Sequence, residues 1–260
     1  MIEIEVLIPL IRELAQQELK PRFRHITEDY KSDGSIVTEA DRVMQQVVQV
    51  ALAARYPKIA FLGEEMEEGE QLEALHHPQG VWVLDPIDGT SNFSHGLPFY
   101  CVSLALIQHG EVQLGIVYDP ERDECFHAVK GEGAFLNGER LNAPDHHTPL
   151  NRALAGVDFK RLPTEMAARL ASQPPYASQR SFGAIALDWC WVAAGRNQVY
   201  LHGKHKLWDY AACWRIVEEA QGVSQTLEGE PVFTPTMEHK FAVVAVSQPL
   251  LEEWLAEVDP

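Results

Sequence analysis

The spacing of apolar residues changes period twice along the chain, and that constrains the fold more than any single motif. Ile4, Leu7, Ile8, Ile11, Leu14 and Ala15 recur at helical spacing, which predicts an amphipathic helix ending near Pro21. Thr38-Glu39-Ala40-Asp41 reads as a capping start for a second helix. Its stripe, Val43, Met44, Val47, Val48, Ala51 and Leu52, stops before Pro57. The run 59–63 reads as a buried strand followed by an acidic loop, and Val81-Trp82-Val83-Leu84 as another strand ending on Asp85. From Phe99 to about Leu141 the period shortens to two: Val112, Leu114, Ile116 and Tyr118 alternate, and Asn137-Gly138 is a hairpin-turn signal.

A polar stretch over 142–151, with Pro144, Pro149 and His146-His147, places a junction there. Beyond it, short apolar runs at 154–157, 199–201 and 241–246 alternate with helical patterns at 163–171, 184–194, 209–221 and 249–258. Residues 1–145 thus read as an N-terminal α+β half with helices on an antiparallel sheet, and 146–260 as a C-terminal α/β half, which predicts stacked layers. A chain of 29.2 kDa folds to roughly 11,500 Å² of surface against about 42,000 Å² unfolded, enough for a sizeable core.

The formal charge of −17 argues against nucleic-acid binding and against docking on anionic lipid, since both rely on basic patches. No apolar run is long enough to cross a membrane, and Met1-Ile2-Glu3-Ile4-Glu5 lacks the basic start of a signal peptide. Cys101, Cys125, Cys190 and Cys213 have no metal-like spacing and read as free thiols in a reducing cytoplasm.

The stretch Asp85-Pro86-Ile87-Asp88-Gly89-Thr90-Ser91-Asn92-Phe93 carries the most chemistry. Asp85 and Asp88, with the Ile87 carbonyl between them, make an oxygen-rich segment of the kind hard cations such as Mg²⁺ require. Gly89 permits a sharp turn, and Thr90 and Ser91 would open a helix whose free N–H groups suit a phosphate. An ordinary Asp-Pro, Asp-Gly turn is the alternative. Glu67, Glu68 and Glu70 read as a solvated acidic loop, whereas Glu64 leaves a buried strand, where an uncompensated carboxylate is costly. Asp209 in Trp208-Asp209-Tyr210 reads either as a helix N-cap or as a ligand from the second half.

Taken together, Glu64-Glu65, the 85–93 stretch and Trp208-Asp209-Tyr210-Ala211-Ala212 resemble the inositol monophosphatase family of Mg²⁺-dependent, lithium-sensitive phosphomonoesterases. Lys31-Ser32-Asp33, Val37-Thr38-Glu39-Ala40-Asp41, the run 115–120 and the run 131–138 match in order as well. The resemblance implies a layered αβαβα sandwich of the inositol monophosphatase and fructose bisphosphatase type. It implies that Glu64, Asp85 and the Ile87 carbonyl hold one Mg²⁺, that Asp85, Asp88 and Asp209 hold a second, and that a third, weaker ion lies near Glu64. It further implies an Asp41–Thr90 dyad that helps Glu64 activate water, a phosphate held by the N–H groups of Gly89, Thr90 and Ser91, and a homodimer. The substrate is then a small phosphate monoester, an inositol phosphate or related polyol or sugar phosphate. Histidinol-phosphate, fructose-bisphosphate and 3′-nucleotide phosphatases, or a regulatory binding protein that kept the fold, are the alternatives.

The pocket segment departs from that pattern. Gly183-Ala184 match, but Ile185 replaces a small residue near the polyol position, and His202 stands where inositol-hydrolysing members carry a glutamate. The expectation is that myo-inositol 1-phosphate is a poor substrate, and that His202 and His205 form a positive or hydrogen-bonding rim. His76-His77 read as surface residues, and Trp189, Trp191, Trp208 and Trp214 as core.

Overall fold

Each apolar stripe becomes a face packed on a sheet. The computed structural model describes residues 2–24, 28–30, 36–142 and 148–258. Lys31-Ser32-Asp33, His146-His147 and the centre of the expected junction lie outside the described residues.

Helix α1 (Ile4–Glu18) precedes a small antiparallel ribbon of β1 (Glu28–Tyr30) and β2 (Ile36–Thr38), and α2 (Glu39–Arg55) follows directly. Then come β3 (Ala60–Gly63), α3 (Glu68–Leu75), β4 (Val81–Asp88) and the single turn α4 (Thr90–Ser94). An antiparallel meander runs through β5 (Cys101–Gln108), β6 (Glu111–Asp119), β7 (Glu124–Val129), β8 (Gly133–Leu136) and β9 (Glu139–Arg140). These strands form a seven-stranded sheet ordered β3-β4-β5-β6-β7-β8-β9, in which the β3–β4 pair alone is parallel. Asn137 and Gly138 take positive φ between β8 and β9, as the hairpin signal predicts.

The second half supplies β10 (Leu154–Val157), α5 (Thr164–Ser172), β11 (Ser178–Arg180), α6 (Ile185–Ala193), β12 (Val199–His205), α7 (Leu207–Glu219), β13 (Val223–Gln225), β14 (Lys240–Ala245) and α8 (Gln248–Val258). Its five-stranded mixed sheet is ordered β11-β10-β12-β14-β13. Sequence periodicity missed β11 and β13, which are short, polar edge strands with no apolar alternation to read.

Strand parity assigns the layers. Trp82, Leu84, Val102, Leu104, Ile116 and Tyr118 face α1 and α2 in one core. Val81, Val83, Cys101, Ala105 and Val117 face the other way, into a core shared with α6, α7, the second sheet and α8. On the outer face of the second sheet, the Trp254 indole N–H of α8 donates to the Tyr200 carbonyl at 3.2 Å, and Arg169 of α5 donates to the carbonyls of Glu257 and Val258. The order is therefore αβαβα, as the resemblance implies.

Two local expectations need correction. The acidic stretch is not a loop throughout, because Glu68 and Glu70 lie exposed on α3. What holds that helix is its buried Gln71, which donates to the carbonyl of Gly63 at 2.9 Å and that of Glu64 at 3.3 Å, an anchor invisible to hydrophobic periodicity. Strand β4 also runs on to Asp88 rather than stopping at Asp85, so the segment is a bulged strand and not an Asp-Pro, Asp-Gly turn.

Candidate active site

In a regular strand, Asp85 and Asp88 would point to opposite faces, because side chains alternate. Here Asp85 pairs with Ser103 and Asp88 with Cys101, so β4 spends three residues where β5 spends two. That bulge falls at Pro86-Ile87, where proline has no N–H to lose. It turns Ile87 into the α1/α2 core and brings Asp88 to the same side as Asp85. Asp85 is 2% exposed and Asp88 6%.

Parallel pairing of β3 and β4 carries Glu64 alongside. Gly63 is in register with Leu84, and the Glu64 N–H donates to the Leu84 carbonyl at 3.1 Å. Two buried glutamines clamp this exit: Gln71 as above, and Gln45 of α2, whose Oε1 accepts the Glu65 N–H at 2.9 Å. Asp209 comes from the far side of the molecule. Of the two readings the sequence left open, it is not the N-cap: it lies in the first turn of α7, which begins at Leu207, and it accepts the Lys206 N–H at 2.8 Å.

The Asp88 carboxylate also accepts the N–H groups of Ile185 at 3.0 Å and Ala186 at 2.6 Å, at the start of α6. Asp41 accepts both the Thr38 N–H (2.7 Å) and hydroxyl (2.5 Å) at the start of α2. The Thr90 hydroxyl lies 3.4 Å from Asp41 Oδ1 and 3.0 Å from the Ile87 carbonyl, so its single proton has two acceptors.

Electrostatics follow from burying several acids together. Burial first, then the charges of Glu64, Asp88, Asp209 and Asp41, pushes the Asp85 carboxyl well above the usual range. Burial and the charge of Glu64 do the same to Asp209. Burial raises Asp88 to about 7 against the pull of the Ala186 and Ile185 amides, and Asp41 to about 7 against the Thr38 hydrogen bonds. Among the described residues, no three His, Cys, Asp or Glu side chains already stand grouped about one point. The acids sense one another through charge repulsion. An all-oxygen donor set, with Asp85 and Asp88 buried and Glu64 and Asp209 half-buried, suits a hard divalent cation.

Gly89 opens the adjoining cradle with φ 92°, a left-handed conformation that glycine adopts without cost. A Cβ there would stand 3.0 Å from the Phe99 carbonyl and 3.1 Å from the Ala184 Cβ, so the turn rests directly on Gly183-Ala184 of the second half. Asn92 ties this contact by donating to the carbonyls of Phe99 and Phe182, each at 2.7 Å.

Over these residues lies a cleft of about 530 Å³ lined by Glu64, Asp88, Gly89, Thr90, Ser91, Gly183, Ala184, Ile185, His202 and Asp209. Asp41, Asp85 and Ile87 are buried beneath it. Sequence reasoning missed several further lining residues: Asp158, Lys160, Arg161, Asp188, Tyr200, Lys204, Lys206 and His239. The pairs Lys160-Arg161 and Lys204…Lys206 were the available signal, since cations that close together in so acidic a chain are uncommon.

Of the two histidines expected at the rim, His202 lines the cleft and His205 does not. His205 is fully buried; its Nδ1 donates to the Lys240 carbonyl at 3.0 Å, and burial holds its imidazole well below its ordinary pKa. His202 is 4% exposed. Its Nδ1 accepts the Lys204 N–H at 3.2 Å, while Nε2 faces Asp158 Oδ2 at 3.5 Å. Both ring nitrogens are thus engaged within the protein, and Asp158 presents the carboxylate on that side of the cleft.

All four cysteines are buried and unpaired. Among the described residues, no helix is long and apolar enough to cross a membrane. His76 and His77 are exposed; Trp189 and Trp208 are buried, and Trp191 and Trp214 are half-buried.

Residues 3–258 match the model of the inositol monophosphatase family. The chain is 31% identical over 255 residues to the inositol-1-monophosphatase of Bacillus subtilis, covering 94% of this chain and 93% of that one. It is 34% identical over 236 residues to the Nus factor SuhB of Pasteurella multocida, covering 88% and 85%. Among solved structures, an IMPase/NADP phosphatase complexed with Mg²⁺ and phosphate superposes with a TM-score of 0.86 at 26% identity, over 98% of this chain and 95% of that one.

Proposed function

The chain belongs to the inositol monophosphatase family, and on that premise we propose that it is a Mg²⁺-dependent phosphomonoesterase acting on a small polyol or sugar phosphate. The observation that carries this reading is the bulge in β4 that turns Asp85 and Asp88 to one face, beside Glu64 and Asp209 and next to the Gly89 cradle.

Glu64, Asp85 and the Ile87 carbonyl would hold one cation, and Asp85, Asp88 and Asp209 another. A cation held there would neutralise phosphate oxygens and lower the pKa of bound water, which matters because an acidic protein otherwise repels a phosphate dianion. The protein's own share is positioning. The N–H groups of Gly89, Thr90 and Ser91 point the phosphate, and the first turn of α4 aligns them. Asp41 takes a proton through Thr90: with its carboxyl near 7 it can accept or return one at neutral pH. The buried Gln45 and Gln71 keep Glu64 on the cleft side. Water would attack phosphorus in line as the phosphorus–oxygen bond to the ester oxygen breaks, and the proton lost by the water would end on that oxygen, which leaves as the alcohol.

Kinship to a Nus factor supports a second reading, a regulatory binding role, but the acidic residues of the hydrolase pattern all stand in this chain. The two readings separate in one assay of phosphate release from inositol, sugar, histidinol and nucleotide phosphates, with magnesium and with chelator. Magnesium-dependent release supports the hydrolase; no release from any of them, with or without magnesium, supports the binding role.

A further inference from the structure

One buried acid of the cleft stands outside the pattern of cation ligands. Asp188 is 6% exposed and lines the cleft from α6, one turn after Ile185. Its Oδ1 is closed to solvent and has no hydrogen-bond partner among the described residues. Of the buried side-chain atoms left in that state there, it is the only carboxylate oxygen. A carboxylate is the costliest of these groups to strand, because it gives up the hydration of a charge and gains no donor.

Donors around it are engaged elsewhere. The free amides at the start of α6, those of Ile185 and Ala186, donate to Asp88. Ala184, at the N-cap, has no hydroxyl to offer. The Tyr200 hydroxyl, which also lines the cleft, lies 3.4 Å from His205 Nε2. That nitrogen is an acceptor, because Nδ1 gives its proton to the Lys240 carbonyl. Burial first, then the like charges of Asp88 and Asp158, pushes the Asp188 carboxyl well above the usual range.

The place of this carboxyl in the fold says what would answer it. Gly183-Ala184, just before α6, pack directly on the Gly89 turn. The face of α6 that carries Ile185 and Asp188 therefore borders the cradle, and a phosphate held there sets its alcohol half against that face. We infer that Asp188 is a specificity residue: its carboxyl hydrogen-bonds a free hydroxyl on the alcohol half of the substrate, so polyol and sugar phosphates are favoured over esters with no further hydroxyl. This deepens the reading of the cleft as a phosphatase site and rests on it. A hydroxyl both donates and accepts, so it pairs with the acid in either protonation state. An apolar alcohol leaves the acid stranded, the situation in which a polar site discriminates most strongly.

The test sets Asp188→Ala and Asp188→Asn beside wild type. With magnesium, kcat/KM is measured for glycerol 2-phosphate, glucose 6-phosphate and phenyl phosphate, the last with no free hydroxyl on its alcohol half. The ratio of the better polyol ester to phenyl phosphate should fall about 30-fold in Asp188→Ala and only about threefold in Asp188→Asn, whose amide still hydrogen-bonds. Because the stranded carboxyl contributes nothing to the fold, the metal-free unfolding midpoint of Asp188→Ala should hold or rise. A ratio unmoved in Asp188→Ala, or a midpoint that falls while all three esters are lost alike, overturns the assignment. If wild type releases phosphate from none of the three, the hydrolase reading falls, and calorimetric titration with glycerol 2-phosphate and phenyl phosphate decides Asp188 by itself. Binding of the glycerol ester alone weakened about tenfold in Asp188→Ala keeps the residue in its role; equal or absent binding removes it.

Discussion

The Asp88 carboxylate accepts the backbone N–H of Ala186 at 2.6 Å, joining the last residue of β4 to the first turn of α6 across the two halves of the molecule. A carboxylate expected from sequence to serve a cation is thus also one of the contacts that join β4 to α6. Substituting Asp88→Asn keeps the shape but removes the charge and one acceptor. Magnesium-dependent phosphate release should fall on the order of 10³-fold, while the unpaired amide costs about 1–3 kcal/mol of stability. Phosphate release and thermal unfolding measured on one preparation check both; activity within a factor of two of wild type would falsify the assignment.

Asp41 and Asp88 both sit at about 7 in the folded chain, raised chiefly by burial, against about 4 when unfolded. Between those values the metal-free folded protein binds more protons than the unfolded chain, so its stability falls as pH rises from about 4 through about 7. Magnesium would require its ligand Asp88 in the ionised form and so release a proton on binding. The midpoint of metal-free unfolding should therefore drop between about pH 5 and about pH 8, and the gain from added magnesium should grow over the same window. A flat metal-free midpoint is the outcome that would refute this.

Gln71 donates to the carbonyls of Gly63 and Glu64 and so sets where Glu64 leaves β3. Gln71→Ala should weaken magnesium activation by about 10- to 100-fold, the effect typical of residues that orient metal ligands. Its signature is a shifted magnesium titration with kcat at saturating magnesium largely retained. An unshifted titration would mean the clamp has no such role.

Family resemblance leads us to expect inhibition by lithium at millimolar concentration, through the most weakly held ion position. Steady-state rates with lithium at fixed magnesium test it, with potassium as the control for ionic strength. Complete insensitivity would show that the ion positions differ from the family pattern.

Because both nitrogens of His202 are engaged, one with the Lys204 amide and one with Asp158, the ring offers no free acceptor to a polyol. We expect myo-inositol 1-phosphate to be hydrolysed poorly compared with the preferred sugar phosphate, and His202→Ala to alter that ratio by releasing Asp158. Equal turnover of the two, unchanged in the variant, would remove His202 and Asp158 from substrate selection.

What could be read from the chain alone was whatever a local repeat or a contiguous motif encodes. The stripes of α1 and α2, the alternation of the meander, the Asn137-Gly138 turn and the acidic residues of the site all depend on neighbours in sequence. Tertiary structure decided the rest. Asp85 and Asp88 share a face only because pairing with β5 forces a bulge. The charge of Asp209 reaches them only because α7 packs on the first sheet. His202 lines the cleft but as a buried partner of Asp158, and the Arg161 carbonyl rests against Gly203 in a contact no spacing foretells. Periodicity reports which side of its own element a residue occupies; which distant side chains share a like-charged space depends on how the layers close over one another.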